Sequence, residues 1–200
     1  GINVHSGSNV IIQNNAIYGA LDDAIATHSQ VRDVTISDNI ITTAGGRVLL
    51  QGIKNGVCTR NTISYLDNER GDGIWITYEP QKGGILQNDS SLEVSYNKIT
   101  ITGYSNNHAI RLFGPGLKVN VYKNKVYTKT YRDAVGIEVI NKVDSLFLGI
   151  SYFGDSISVH ENTIVNFSEA IHYQIYNYQY SLSPTANPFV DTSGTVVLSQ

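Results

Sequence analysis

Apolar and polar residues alternate along this chain in short runs of about four or five, the period of a half-buried strand, and nowhere recur at helical spacing. Six runs end in one phrase, an alternating strand that meets Asn and then an apolar or β-branched residue: VIIQNNAI, VTISDNII, VCTRNTI, LEVSYNKI, VNVYKNKV and ISVHENTI. The anchors Asn15, Asn39, Asn61, Asn97, Asn124 and Asn162 stand 24, 22, 36, 27 and 38 residues apart, a basic period lengthened by insertions. A second strand follows each anchor, within DDAIATHS, GGRVLLQG, GDGIWITY, NHAIRLFG, AVGIEVIN and SEAIHYQI. Asn suits such a bend because it tolerates left-handed backbone and hydrogen-bonds its neighbours; repeated, it stacks as a ladder. The pattern predicts an all-β chain of parallel strands wound as a solenoid.

Stacking the second strands sorts their residues into columns. With Ile25, Val48, Ile74, Ile110, Ile137 and Ile171 facing the core, alternation turns Ala26, Leu49, Trp75, Arg111, Glu138 and His172 outward. An outward column holding Trp, Arg, Glu and His is what a ligand face requires. The preceding strip, Ala24, Arg47, Gly73, Ala109, Gly136 and Ala170, is nearly all small and is expected to floor a groove. Asp23, Gly46, Asp72, His108, Val135 and Glu169 are expected at the strand entrance, with Asp22 and Asp133 nearby. His28, Gln51, Thr77, Phe113, Ile140 and Gln174 are expected at the exit.

Residues two coils apart in one column stand about 9 to 10 Å apart, since strands stack at about 4.8 Å. Inverting glycosidases separate their two carboxyls by about 6.5 to 9.5 Å, retaining ones by about 5 to 5.5 Å. Asp72 with either Asp23 or Glu138 therefore suits an inverting hydrolase, with Asp22 placed to raise the pKa of Asp23. Asp22-Asp23, and Asp72 in RGDGI, equally suit turns, and Glu138 a solvated face. Trp75 offers a platform for sugar stacking or a subunit contact. Arg111 is either a partner of Glu138 or a contact to an anionic glycan. His28, with His5 one repeat before it, is a surface histidine or a glycan contact, as are His108, His172 and Glu169. The histidines fall in different columns and predict no metal site.

Composition narrows the field. With 200 residues, 41% of them apolar, the chain is long enough for one sizeable core, and a net charge of −3 gives no reason to expect nucleic acid. No apolar run approaches the ~20 residues of a membrane span. Cys58 has no cysteine to pair with and reads as a buried hydrophobe. The sequence contains no methionine and opens inside a repeat, with Ile2, Val4 and His5 matching Ile25, Thr27 and His28; a fragment of a longer chain is expected. Insertions at 79–90 and 141–156 are expected to rise as a wall beside the groove. The second carries Leu146, Phe147, Leu148, Tyr152 and Phe153, apolar enough to pack on a neighbour; the tail tyrosines Tyr173, Tyr176, Tyr178 and Tyr180 suit subunit or sugar contacts.

Over nearly all of residues 1–175 the repeats resemble the right-handed parallel β-helix family, the pectate-lyase-like superfamily, which implies about six to seven coils, with 176–200 as linker and terminal strand. Within that family, LDDAIATHS is similar to the Asp-Asp-x-Ile strand of polygalacturonase-type glycosidases and of phage tailspike and appendage depolymerases that cut cell-surface glycans or teichoic acids. The Asn-Thr-Asp, Gly-His-Gly and Arg-Ile-Lys motifs of polygalacturonases are absent. The resemblance implies a bacterial cell-surface polysaccharide as partner, a homotrimer, a place on a virion tail or outside the cell, and no cofactor. A non-catalytic glycan-binding or structural shaft is the alternative, and a lyase or epimerase, with Arg111 or His108 as base, a second one.

Overall fold

The computed structural model describes residues 1–43, 45–65, 71–77, 91–101, 107–114, 118–129, 134–141, 156–175, 189–191 and 195–198. Asp133, the insertion residues at 79–90 and 142–155, and Tyr176, Tyr178 and Tyr180 lie outside them. Among the described residues there is no helix, and every strand pairing is parallel. No helix there is long and apolar enough to cross a membrane.

Two curled sheets carry the strands. Strands β1 (Ile2–Gln13) and β3 (Asp23–Ser37) run through both wings of a 12-stranded sheet. The first half of β3 pairs with β5 (Arg47–Gln51), and the first wing continues through β8 (Ile74–Thr77), β11 (His108–Phe113), β14 (Val135–Asn141) and β17 (Glu169–Ile175). The second half pairs with β6 (Asn55–Thr59), and the second wing continues through β9 (Ser91–Ser95), β12 (Lys118–Tyr122), β15 (Ser156–His160) and β18 (Phe189–Asp191). A separate 7-stranded sheet runs β2 (Ala16–Ala20), β4 (Ile40–Thr43), β7 (Thr62–Tyr65), β10 (Lys98–Ile101), β13 (Lys125–Thr128), β16 (Thr163–Val165) and β19 (Val196–Leu198). From β4 onward each strand pairs with the one three further along the chain, an order compatible with a parallel β-helix.

The expected columns are present. Ile2, Ile25, Val48, Ile74, Ile110, Ile137 and Ile171 are register partners in turn, and Asn3, Ala26, Leu49, Trp75, Arg111, Glu138 and His172 form the next column. The first column from Ile25 to Ile137 is completely buried, and removing each such side chain from water contributes roughly 1.5–3 kcal/mol. Leu50, Ile76, Leu112 and Val139 repeat the arrangement two residues on.

The small strip does not floor a groove: Ala24 and Ala109 are fully buried and belong to the core. A Cβ on Gly73 would strike the carbonyl oxygen of Ala109 and a methyl of Ile99, and one on Gly136 would meet Ala170 and Ile164 in the same way. Small residues are needed there because two sheets approach closely at a corner.

The asparagine ladder forms as expected, with one correction. In each of Asn15, Asn39, Asn61, Asn97 and Asn124 the backbone N–H and the side-chain amide both donate to the Oδ1 of the next Asn, at 2.9–3.1 Å. Left-handed backbone falls one residue earlier, on Asn14, Asp38, Arg60, Tyr96, Lys123 and Glu161, all with φ between 52° and 58°. Each non-glycine residue there costs about 1–2 kcal/mol. The turn places the following Asn inward, where its amide satisfies buried backbone groups, and this offsets the strain. The register extends to the end of the described chain: β18 aligns with β15 and β19 with β16, which puts Thr195 in the position of an anchoring Asn.

Candidate functional site

The first wing carries the candidate site. Asp72 immediately precedes Gly73 at the entrance to β8, His108 and Arg111 lie on β11, and Glu138 lies on β14. Parallel pairing sets Arg111 between Trp75 and Glu138, and His108 three residues nearer the strand entrance. His108 Nδ1 lies 2.6 Å from Asp72 Oδ1, and its Nε2 lies 3.2 Å from Glu138 Oε2. The backbone N–H of His108 also donates to Asp72 Oδ1, at 3.2 Å. Asp72, His108 and Glu138 are only 6%, 5% and 7% exposed. The outward column is therefore not the solvated face that alternation alone suggests; Ala26 and Leu49 are buried as well.

Charge balances inside this cluster. Burial works against a charged His108, but its hydrogen bond to Asp72 and its ion pair with Glu138 outweigh that effect and push its pKa up to about 9. Burial likewise opposes ionisation of Glu138, yet His108 and then Arg111 hold its carboxyl below the usual range. Arg111 Nε stands 2.6 Å from Glu138 Oε2, and its Nη1 3.9 Å from Asp72 Oδ2. His108 and Arg111 thus both face the acidic side chains of Asp72 and Glu138, the pairing that a buried charge requires. The hydroxyl of Tyr65 lies against the carbonyl oxygens of Asp72 and Gly46 and ties the turn to the smaller sheet.

Arg47 is a component that the column pattern does not announce as functional. Its guanidinium carbon lies 4.1 Å from the centre of the Trp75 ring, with Arg111 on the same ring at 5.2 Å. Its Nε is 2.9 Å from Asp23 Oδ1. Like the Arg111–Glu138 contact, this is an ion pair whose N–H direction misses hydrogen-bond geometry. Asp23 pairs with Arg47 rather than Gly46, because the register shifts between Asp23 and Ile25. The one sequence cue was that Arg47 is the single large residue in an otherwise small strip. The Trp75 indole N–H is buried and has no acceptor among the described residues.

The Asp23 carboxyl is raised, first by burial, against the opposing pull of Arg47 and with a further push from Asp22. Asp22 itself is exposed. Of the remaining candidates, His28 lies apart from the cluster, while His172 is the register partner of Glu138. His28 contacts Gln51 and Asn3, both at 3.0 Å, and stacks on His5 at 4.7 Å. His172 pairs with the exposed Glu169 at 2.8 Å. Among the described residues, no three His, Cys, Asp or Glu side chains are arranged to hold a metal ion.

Comparison of the chain with protein-family models, curated proteins and solved structures gives no match in any of the three.

Proposed function

We propose that the chain is a right-handed parallel β-helix of about six to seven coils, of the pectate-lyase-like kind, that binds a bacterial cell-surface polysaccharide or teichoic acid along its first wing and hydrolyses it. The observation that carries this reading is the Asp23 carboxyl, raised by burial and by Asp22, two strand spacings from Asp72, with Arg47 on the strand between them and its guanidinium over Trp75 of the strand that Asp72 leads into. Two spacings amount to about 9 to 10 Å, near the upper end of the separation that admits a water in an inverting site. Asp23 donates its proton to the departing glycosidic oxygen. Asp72 Oδ2, the oxygen not engaged by His108, takes a proton from the water whose oxygen bonds to the anomeric carbon. Glu138, His108 and Arg111 position Asp72, and Trp75 with its two arginines receives the sugar. The homotrimer and the location on a virion tail or outside the cell accompany the family resemblance and belong to this proposal.

A non-catalytic binding module or structural shaft is the second reading, and one observation favours it. The His108 ring fills the space between Asp72 and Glu138, so that their charges are already answered within the protein. A lyase has less support, because a base must be unprotonated and His108 is held protonated at neutral pH.

Purified capsular, lipopolysaccharide and teichoic-acid polymers, incubated with the protein and sized afterwards, decide between these readings. Hydrolysis gives shortened products without the ultraviolet absorbance of unsaturated sugars. Asp72→Asn and Asp23→Asn then each lower turnover by about 10²-fold or more while retaining the polymer. Cleavage that survives both substitutions overturns the assignment, and retention without cleavage establishes the binding module.

A further inference from the structure

The second wing presents a face that the site above does not use. Its outward column runs Ile11, Thr35, Val57, Glu93, Asn120 and Ser158. Ile11 is 66% exposed, and Val57 and Thr35 are half-buried. At its β1 end the face sinks into a cleft of about 350 Å3, within the ~300–1,000 Å3 range of small-ligand sites. Ile11, Thr35 and Val57 make the floor, and Asn9, Asp33 and Asn55 make one rim.

We infer that this cleft is a second saccharide site, distinct from the first wing, and that it takes a neutral, hydroxyl-rich sugar. The floor offers aliphatic contact for the C–H face of a pyranose. The rim offers what hydroxyls need, two primary amides that both donate and accept and one carboxylate that accepts. Asn55 Nδ2 donates to Asp33 Oδ1 at 2.8 Å, so these two side chains hold each other in place before a ligand arrives. Among the rim groups the single charge is the Asp33 carboxylate, which disfavours an acidic sugar. Farther along the same column stand Glu93, whose Oε1 accepts from Ser95 and Tyr122, and Asn120, whose Oδ1 faces His160. The first wing differs in that its charged groups are mostly buried.

The test is a titration of isotope-labelled protein with cellobiose, N,N′-diacetylchitobiose and, as the acidic control, digalacturonate, followed by NMR. A neutral disaccharide is expected to shift the side-chain amides of Asn9 and Asn55 and the backbone amides of Val34, Thr35 and Val57, with little response to digalacturonate. Val57→Lys, which places a long side chain across the floor, abolishes the shifts, and Asp33→Ala weakens binding at least fivefold with Val57 intact. Trp75→Ala, which removes the sugar platform of the first wing, leaves them unchanged. The inference is overturned if no neutral disaccharide moves these resonances, if the shifts persist in Val57→Lys, or if Trp75→Ala removes them. That last result places the sugar on the first wing and leaves the proposed function standing.

Discussion

Replacing His108 tests the central electrostatic claim. The imidazole sits 2.6 and 3.2 Å from two buried carboxylates, and its pKa is raised from 6.5 to about 9. A shift of that size corresponds to about 3 kcal/mol of stability at neutral pH. Solvent screening at the edge of the cluster, where Arg111 is 25% exposed, reduces it to about 2 kcal/mol. Because the folded pKa lies above the unfolded one, the contribution is complete below about pH 6.5 and disappears as the pH rises through about 9. His108→Gln keeps a hydrogen-bonding side chain but leaves two buried carboxylates without their shared cation, a loss of about 3–5 kcal/mol at pH 7. Urea unfolding, read by the fluorescence of the single tryptophan, Trp75, beside the cluster, reports both effects. The wild-type advantage over His108→Gln should shrink by about 2 kcal/mol between pH 7 and pH 10. Adding Asp72→Asn and Glu138→Gln to the variant should recover much of the loss. A wild-type advantage that stays constant across that range would refute a protonated His108 between the carboxylates.

At the acid end the sign reverses: Glu138 is held below the usual carboxylate range, so its contribution is complete above about pH 4.3 and is lost as the pH falls through its lower folded value; the wild-type advantage over Glu138→Gln in urea unfolding should shrink between about pH 6 and about pH 3, and an advantage that stays constant over that range would contradict the claim. Asn61→Ala removes the acceptor of two donors from Asn39 and the three contacts that its side-chain amide donates, and should cost about 3 kcal/mol in the urea midpoint; a loss below about 1 kcal/mol would mean that water replaces the ladder. Thr195→Asn supplies the missing ladder residue where the threonine hydroxyl is buried without a partner among the described residues, and should add about 1 kcal/mol, again read as a urea midpoint. Burial pushes the Cys58 thiol up to about 12, so iodoacetamide at pH 8 should label it only after unfolding.

The fold was more legible in the sequence than the site, for identifiable reasons. Ile25, Val48, Ile74, Ile110 and Ile137 are apolar because each faces the core, so alternation alone aligned them and the registers followed. The anchoring asparagines were visible because one side chain does the same job on every repeat. Alternation tells which way a side chain leaves the strand, and it is silent on what then covers it. Glu138 was read as outward, correctly, and its burial beside His108 and Arg111 could not follow from phase. Arg47 escaped notice because a register shift beside Asp23 moved it opposite that carboxylate. Thr195 hid the last ladder position, since the repeat was recognised by asparagine. The second-wing cleft is lined by residues of β1, β3 and β6 whose pattern in the sequence marks strands and nothing more.

The asparagine ladder also has a direction. Every amide donates to the asparagine that comes later in the chain, never to the earlier one. During synthesis, each finished turn presents two unmet donors, and the next segment to emerge brings the acceptor that fits them. Pairing partners are 22 to 38 residues apart along this row, so no contact in it waits for a distant part of the chain. The structure is thereby suited to growing from its N-terminal side like a zipper. A substitution at an interior asparagine would accordingly act on the order of folding as well as on the final stability, holding back every strand made after it.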